Sequence, residues 1–287
     1  MPTNGCCLKR TVAEPLLLGL LVAAVATAGC GSMADGDGGV RVAGSDTMLP
    51  LNRRLAETFM RDHPGVAVRV SGGGTGAGVE ALLAGRVDLC AASRPFRPDE
   101  VSALFERFGS IGLRFLIARD ALSVYLHPDN PVRSLTMEEL AAVFSGAAGR
   151  WSDVGGADEP IEVVIRPSSS GTHHFFRDHV LGDADYAPSA LVAARPSDVE
   201  EAVRLRPAAV GYGGIVPGLD LVHLLIDGAE PGPEAVRRGD YPLSRYLYFF
   251  ATRPPAGAAA DFVDWCLGPE GQRVVAEVGF IPLWVEP

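Results

Sequence analysis

The chain has 287 residues, 47% of them hydrophobic and 21% charged, a balance that supports a sizeable core and excludes a wholly disordered protein. Its formal net charge of −10 argues against nucleic-acid binding, because counterion release needs clustered Lys and Arg. Any anion must therefore be held by local hydrogen-bond donors in a pocket, since long-range attraction works against it.

Lys9 and Arg10 precede an apolar run from Leu16 to Ala28. A transmembrane helix needs about 20 apolar residues, so this run is short. A basic region, a short apolar region and small residues before a cut predict an export signal over residues 1–29. Thr27-Ala28-Gly29-Cys30 resembles a bacterial lipobox, in which the cysteine becomes the lipidated first residue; Thr27 stands where that motif usually has Leu. The alternative is an ordinary signal peptide with a coincidental cysteine. Residues 30–39 read as the lipidated Cys30 and a flexible polar tether. Cleavage removes Lys9, Arg10 and Glu14 and takes the charge from −10 to −11. The expected location is the extracytoplasmic face of the cell envelope, periplasmic where there is an outer membrane, with the membrane held through the anchor.

From Val40 short apolar strands alternate with amphipathic helices. Val40–Ala43 reads as a strand; Leu51, Leu55 and Phe59 recur at helical spacing until His63-Pro64-Gly65 stops them. Val66–Val70 is a second strand, and Val79, Leu82 and Leu83 sit on a short helix. Val87–Ala91 is a third strand, followed by a helix from about Pro98. Leu113–Ala118 and Ala121–Leu126 read as two further strands near a crossing point. Thr136 with Glu139 is a capping box. Ile161–Ile165 is a strand, Ser170 opens a helix, and Ser197–Val203 is another capped helix. Ala209–Tyr212, Leu221–Ile226 and Leu243–Ala251 are late strands, and Asp261–Leu267 and Glu270–Val278 are terminal helices. This alternation is the mark of a wound α/β sheet.

Four loops share one setting, after a strand and at or just before a helix start: residues 44–48 (Gly-Ser-Asp-Thr-Met), 72–78 (Gly-Gly-Gly-Thr-Gly-Ala-Gly), 92–95 (Ala-Ser-Arg-Pro) and 166–172 (Arg-Pro-Ser-Ser-Ser-Gly-Thr). Unpaired N–H groups at a helix start and neighbouring hydroxyls donate to anions, and such loops gather at the carboxyl edge of an α/β sheet. Each loop alone also reads as ordinary capping and turn chemistry; four in one chain favour a ligand. The glycines at 74, 76 and 78 have the wrong spacing for a dinucleotide fingerprint, and no Gly-Lys-Ser/Thr follows to make a Walker A phosphate loop.

These loops together resemble the phosphate-binding proteins of bacterial Pst transporters. Arg166 followed by Ser170-Gly171-Thr172 is the most specific match. His127-Pro128, Leu135-Thr136, Phe144-Ser145-Gly146, Trp151-Ser152-Asp153 and Val210-Gly211-Tyr212 extend the resemblance over roughly residues 40–285. It implies an α/β, two-lobed periplasmic-binding-protein-like fold of type 2. Each lobe would be a wound mixed sheet flanked by helices, and two crossing segments would join them. Lobe 1 would take residues 40–120 plus 240–287 and lobe 2 residues 121–239. It also implies a monomeric, non-enzymatic receptor that delivers inorganic phosphate to the permease subunits of an ABC importer, without nucleic acid, cofactor or metal. Carried over, the phosphate contacts would be Ser45, Asp46, Thr47, Gly74, Thr75, Ser93, Arg94, Arg166, Ser170, Gly171 and Thr172. An arginine fork suits a tetrahedral oxyanion. Family members place an aspartate after the third strand to accept the proton of phosphate, which sulfate lacks; here Arg94 stands near that place. Asp46 is the candidate replacement, or a cap for the helix after it. Another oxyanion (sulfate, molybdate or tungstate) or a transporter-free sensor or scavenger remains the alternative.

Cys90 and Cys266 read as small buried apolar residues or as a disulfide pair. His173, His174 and His179 lack the i, i+4 spacing of a metal site and suit solvated or packing roles. Trp151, Trp265 and Trp284 read as core or hinge packing. No Gly-x-Ser-x-Gly elbow supports a serine hydrolase.

Overall fold

The computed structural model describes residues 39–215 and 220–284. The expected signal, Cys30 and most of the tether lie outside them.

The first half alternates as its periodicity demands. β1 (Val40–Gly44), α1 (Leu49–Asp62), β2 (Val68–Ser71), α2 (Gly74–Leu83), β3 (Leu89–Ala92) and α3 (Pro98–Phe108) follow in turn. α1 has Pro50 in its first turn and buries Leu51, Leu55 and Phe59 along one face. α2 is set by Gly73, whose φ of 116° suits a residue without a Cβ. It packs so tightly that a Cβ on Gly78 would meet Gly44 Cα at 2.7 Å and Ala43 O at 2.8 Å.

β4 (Leu113–Leu126) is one strand of 14 residues, where two were expected. Asp120 interrupts the apolar pattern but not the backbone. Beyond it come β5 (Ser134–Leu135), α4 (Met137–Ser145), a 3-10 turn over Trp151–Val154 and β6 (Glu162–Ile165). Thr136 caps α4 with the expected box, its Oγ1 accepting from Glu139 N and Glu139 Oε2 accepting from Thr136 N. α5 (Gly171–Phe176) continues into a π-turn over Arg177–Leu181. β7 (Leu191–Val192), α6 (Pro196–Leu205) and β8 (Ala209–Gly214) follow. α6 starts one residue before Ser197 because Arg195 is its N-cap and Pro196 fits the first turn. The expected strand 221–226 divides into β9 (Val222–His223) and β10 (Leu225–Ile226), which pair with β4 and β5 respectively. α7 (Pro233–Arg238) was not expected. β11 (Ser244–Ala251), α8 (Ala258–Leu267) and α9 (Pro269–Glu277) complete the chain.

Nine strands make one curled mixed sheet in the order β2-β1-β3-β11-β4-β8-β6-β7, with β9 beside β4, and β10 and β5 make a separate two-stranded one. β1 is parallel to β2 and β3, and β6 is parallel to β7 and β8. Between these parallel groups stand β11 and β4, antiparallel to each other. β4 pairs with β11 through Ala121 and with β8 from Leu122, so it runs from one group into the other.

Two large apolar cores result, each with a smaller buried cluster on the other face of its strands. One gathers Val42, Leu51, Leu55, Phe59, Ile117 and Phe249 beside helices α1, α8 and α9. The other gathers Leu122, Phe144, Trp151, Phe176, Tyr212 and Tyr241. Trp151 is buried and Trp265 partly so, whereas Trp284 is 39% exposed and rests on Leu267 O, so it is not core. Cys90 and Cys266 are both buried and free, which excludes the disulfide; burial pushes both thiols up, away from thiolate chemistry. Among the described residues no helix is long and apolar enough to cross a membrane.

Candidate functional site

Three of the four loops close on one place between the two cores. The loop after β1 supplies Asp46 and Thr47. Thr47 Oγ1 lies 3.0 Å from Thr172 Oγ1, which stands in the first turn of α5. The start of α2 supplies Thr75, whose Oγ1 accepts from Ser93 N at 3.3 Å. Gly171 presses against both: a Cβ there would lie 2.4 Å from Thr75 Oγ1 and 2.5 Å from Ser93 Oγ. Ser169 O accepts from Gly76 N at 3.1 Å and would crowd a Cβ on Gly74 at 2.8 Å. Ser170 caps α5, its Oγ accepting from Thr172 N at 3.2 Å. Ser45 is buried beside this group, and its N–H donates to Ala91 O.

Arg166 comes from the end of β6. Its Nη2 donates to Asp46 Oδ2 at 3.2 Å and to Ala194 O at 3.0 Å, and its own N–H reaches Tyr212 Oη at 3.3 Å. Burial pulls the guanidinium below its ordinary range, while Asp46 opposes that. Asp46 Oδ1 accepts from Gly73 N at 2.8 Å. Asp46 is therefore not the cap of α1, whose N-cap is Met48 without a side-chain bond; it ties the glycine loop to Arg166 instead. Tyr212 and Tyr186 join Oη to Oη at 3.0 Å behind Arg166, and burial lifts Tyr212 to about 12.

The third loop divides. Ser93 joins the group, but Arg94 turns away: Nη1 and Nη2 each donate to Glu100 at 2.7 Å, and Nη1 also donates to Pro95 O. The structure thus brings together Ser45, Asp46, Thr47, Gly74, Thr75, Ser93, Arg166, Ser170, Gly171 and Thr172, and does not bring Arg94 to them. The histidines serve packing. His173 Nδ1 bonds Arg166 O, His174 Nε2 bonds Ser168 O and His179 Nδ1 bonds Phe175 O.

Two polar groups of the site, Ser93 Oγ and Arg166 Nε, are buried without a hydrogen-bond partner among the described residues. Buried donors left unpaired cost roughly 1–3 kcal/mol each, so a ligand that satisfies them is favoured. Each buried arginine here also has a carboxylate: Asp46 for Arg166, Glu100 for Arg94 and Asp120 for Arg245. The arrangement offers directed N–H and O–H groups without a net positive charge. A cleft of about 410 Å³ lined by Asp46, Thr47, Arg53, Arg195 and Glu200 opens beside the cluster.

The buried pair Asp120–Arg245 was missed. Arg245 Nη1 donates to Thr172 Oγ1 at 3.0 Å, and Nε and Nη2 donate to Asp120 Oδ2. A partial signal was present: Arg245 is the lone charge in the apolar run 243–251, and Asp120, beside Arg119, interrupts the apolar run 115–126.

A family model described as PBP superfamily domain matches residues 31–270. Among curated relatives, the phosphate-binding protein PstS of Pseudomonas aeruginosa is 30% identical over 269 residues, 86% of this chain and 83% of that one. PstS of Bacillus subtilis is 28% identical over 253 residues, 86% of this chain and 81% of that one. Among solved structures, a substrate-binding protein from Clostridium perfringens with bound phosphate superposes with a TM-score of 0.79 at 26% identity, covering 86% of this chain and all (100%) of that one. An ABC-type phosphate transport receptor from Vibrio cholerae gives 0.72 at 28% identity, covering 84% and 99%. With the family model spanning residues 31–270 and a PstS relative 30% identical over most of both chains, this protein belongs to the PBP superfamily and, within it, to the PstS family.

Proposed function

We propose that this protein is a receptor that captures inorganic phosphate between two lobes and delivers it to an ABC-type phosphate importer. The observation that carries the reading is the convergence of hydroxyl and guanidinium donors from both cores, Thr47, Thr75 and Ser93 on one side and Arg166, Ser170 and Thr172 on the other. Ser93 Oγ and Arg166 Nε await an acceptor there. The relatives named for phosphate binding and transport support the substrate class and the partner. The lobes divide at residues 120–121 and near 240, where β4 and the approach to β11 pass between the cores; ligand bridging them favours hinge closure. Asp46, at the meeting of the two sides, is the proposed acceptor for the phosphate proton. Export and lipid attachment at Cys30 rest on the sequence of residues 1–30 and place the receptor on the outer face of the membrane.

Calorimetric titration tests the substrate. Tight one-to-one phosphate binding, weaker sulfate and molybdate binding, and loss of phosphate in Arg166→Ala are expected. Tight sulfate or molybdate binding with weak phosphate would keep the site and change the substrate. No oxyanion binding by a folded sample would end the transport reading.

A further inference from the structure

Asp120 and Arg245 face each other across the β4–β11 ladder, between the two apolar cores. Both are fully buried, with side chains 0% and 2% exposed. Nε and Nη2 of Arg245 donate to the same oxygen, Asp120 Oδ2, at 3.0 and 2.7 Å. Burial raises the Asp120 carboxyl and Arg245 opposes it. An ion pair at such a place is a poor source of stability, because desolvation offsets its attraction and well-packed apolar residues serve as well.

The third nitrogen of Arg245 has a different use. Nη1 donates to Thr172 Oγ1 at 3.0 Å, and Thr172 Oγ1 lies 3.0 Å from Thr47 Oγ1. A guanidinium has only donors, so Thr172 Oγ1 must accept from it. With that lone pair taken, the Thr172 hydrogen is directed away from Arg245, toward Thr47 or the ligand space. When it goes to Thr47, the Thr47 hydrogen is the one left to point outward. Chains of this kind polarise one another in a low-dielectric interior. The stack of Arg245 over the Phe175 ring, 5.4 Å from its centroid, holds the guanidinium from the other side.

We propose that Arg245, clamped by Asp120, is a positioning residue of the anion site: it orients the Thr172–Thr47 hydroxyl pair so that the pair presents hydrogen, not lone pairs, to a bound oxyanion. The inference rests on the phosphate-receptor reading above. It also gives the buried pair a reason to be charged. Thr47 follows β1, Thr172 opens α5 after β6, and Arg245 lies on the strand between the two groups, so the chain of bonds is complete only when both sides meet.

The test is phosphate calorimetry and thermal melting on the purified full-length protein, using Asp120→Leu/Arg245→Met, Thr172→Val, their combination, and Arg245→Lys. The paired apolar replacement removes both charges, so no unpaired charge is left buried. Its melting temperature should hold while phosphate affinity falls about tenfold or more, as for the loss of a charge-assisted hydrogen-bond relay. Thr172→Val should lose a similar amount, and the combination no more than the worse of the two, because they act through one path. Arg245→Lys, which keeps a charged donor, should recover part of the affinity. Wild-type affinity in a folded Asp120→Leu/Arg245→Met, or additive losses in the combination, would overturn the inference while leaving the receptor reading intact. If the paired variant fails to fold, the cycle of Arg245→Lys with Thr172→Val decides in the same way, coupled losses supporting it and additive ones overturning it. Failure of the wild type to bind phosphate would instead bring down the receptor reading and this inference with it.

Discussion

Arg166 Nη2 lies 3.2 Å from Asp46 Oδ2, a contact between residues 120 positions apart that joins the loop after β1 to the end of β6. Arg166→Ala removes both a ligand donor and the partner of Asp46. Phosphate affinity is expected to fall about 10- to 100-fold or more, the effect of losing one or two charge-assisted bonds. Arg166→Lys should fall between, since a compact ammonium keeps the charge but lacks the planar fork that spans Asp46, Ala194 O and a ligand. Calorimetric titration of both variants checks this.

Asp46→Asn separates the two duties of that carboxylate. As the acceptor of the phosphate proton, its replacement should narrow the preference for phosphate over sulfate. An unchanged preference would remove Asp46 from that role and leave it as the tie between Gly73 N and Arg166.

Gly171→Ala tests the close approach of the two sides. The added Cβ would meet Thr75 and Ser93, which belong to the opposite side of the site. Overpacking of this kind costs about 1–3 kcal/mol, and under the proposed hinge closure it falls on the closed form. The ligand-free melting temperature should stay near the wild type while phosphate affinity drops about tenfold to a hundredfold. Small-angle scattering with phosphate present should show less compaction than the wild type.

Arg94 and Glu100 form a separate buried pair. Glu100→Ala leaves an uncompensated buried cation and should cost about 3–5 kcal/mol of stability. Arg94→Met/Glu100→Leu removes both charges and should restore most of it, with phosphate binding close to wild type. A large affinity loss in that folded pair would return Arg94 to the ligand.

Stability should fall on mild acidification. Burial holds His173, His174 and His223 below the ordinary value of 6.5. The unfolded chain then binds more protons than the folded one in the window just below that value. Stability is full above about pH 6.5 and is lost as the pH falls toward the lowered values. His174 is also 3.3 Å from Arg97 Nη1 across the site, with Arg94 nearby, so its charging sets like charges against each other. Thermal melts between about pH 5 and 8 should show this acid limb, flatter in His174→Gln. An identical limb in that variant would clear His174.

The amino-acid sequence by itself determined the alternation of strands and helices, the capping box at Thr136 and the glycine and hydroxyl loops. These depend on local physics: hydrophobic period, turn conformation and cap chemistry within a few residues. Ten of the eleven expected site residues converge because the loops that carry them sit at strand ends, where an α/β sheet places them. Tertiary structure decided which buried charges pair. Glu100 stands six residues from Arg94, but the chain does not say that Arg94 spends its fork there and not on a ligand, and nothing near Asp120 assigns it to Arg245, 125 positions away. It also decided that Leu113–Leu126 is a single strand running between two cores, because a charge that would end a strand by its solvation remains inside when a partner is brought to it across the ladder.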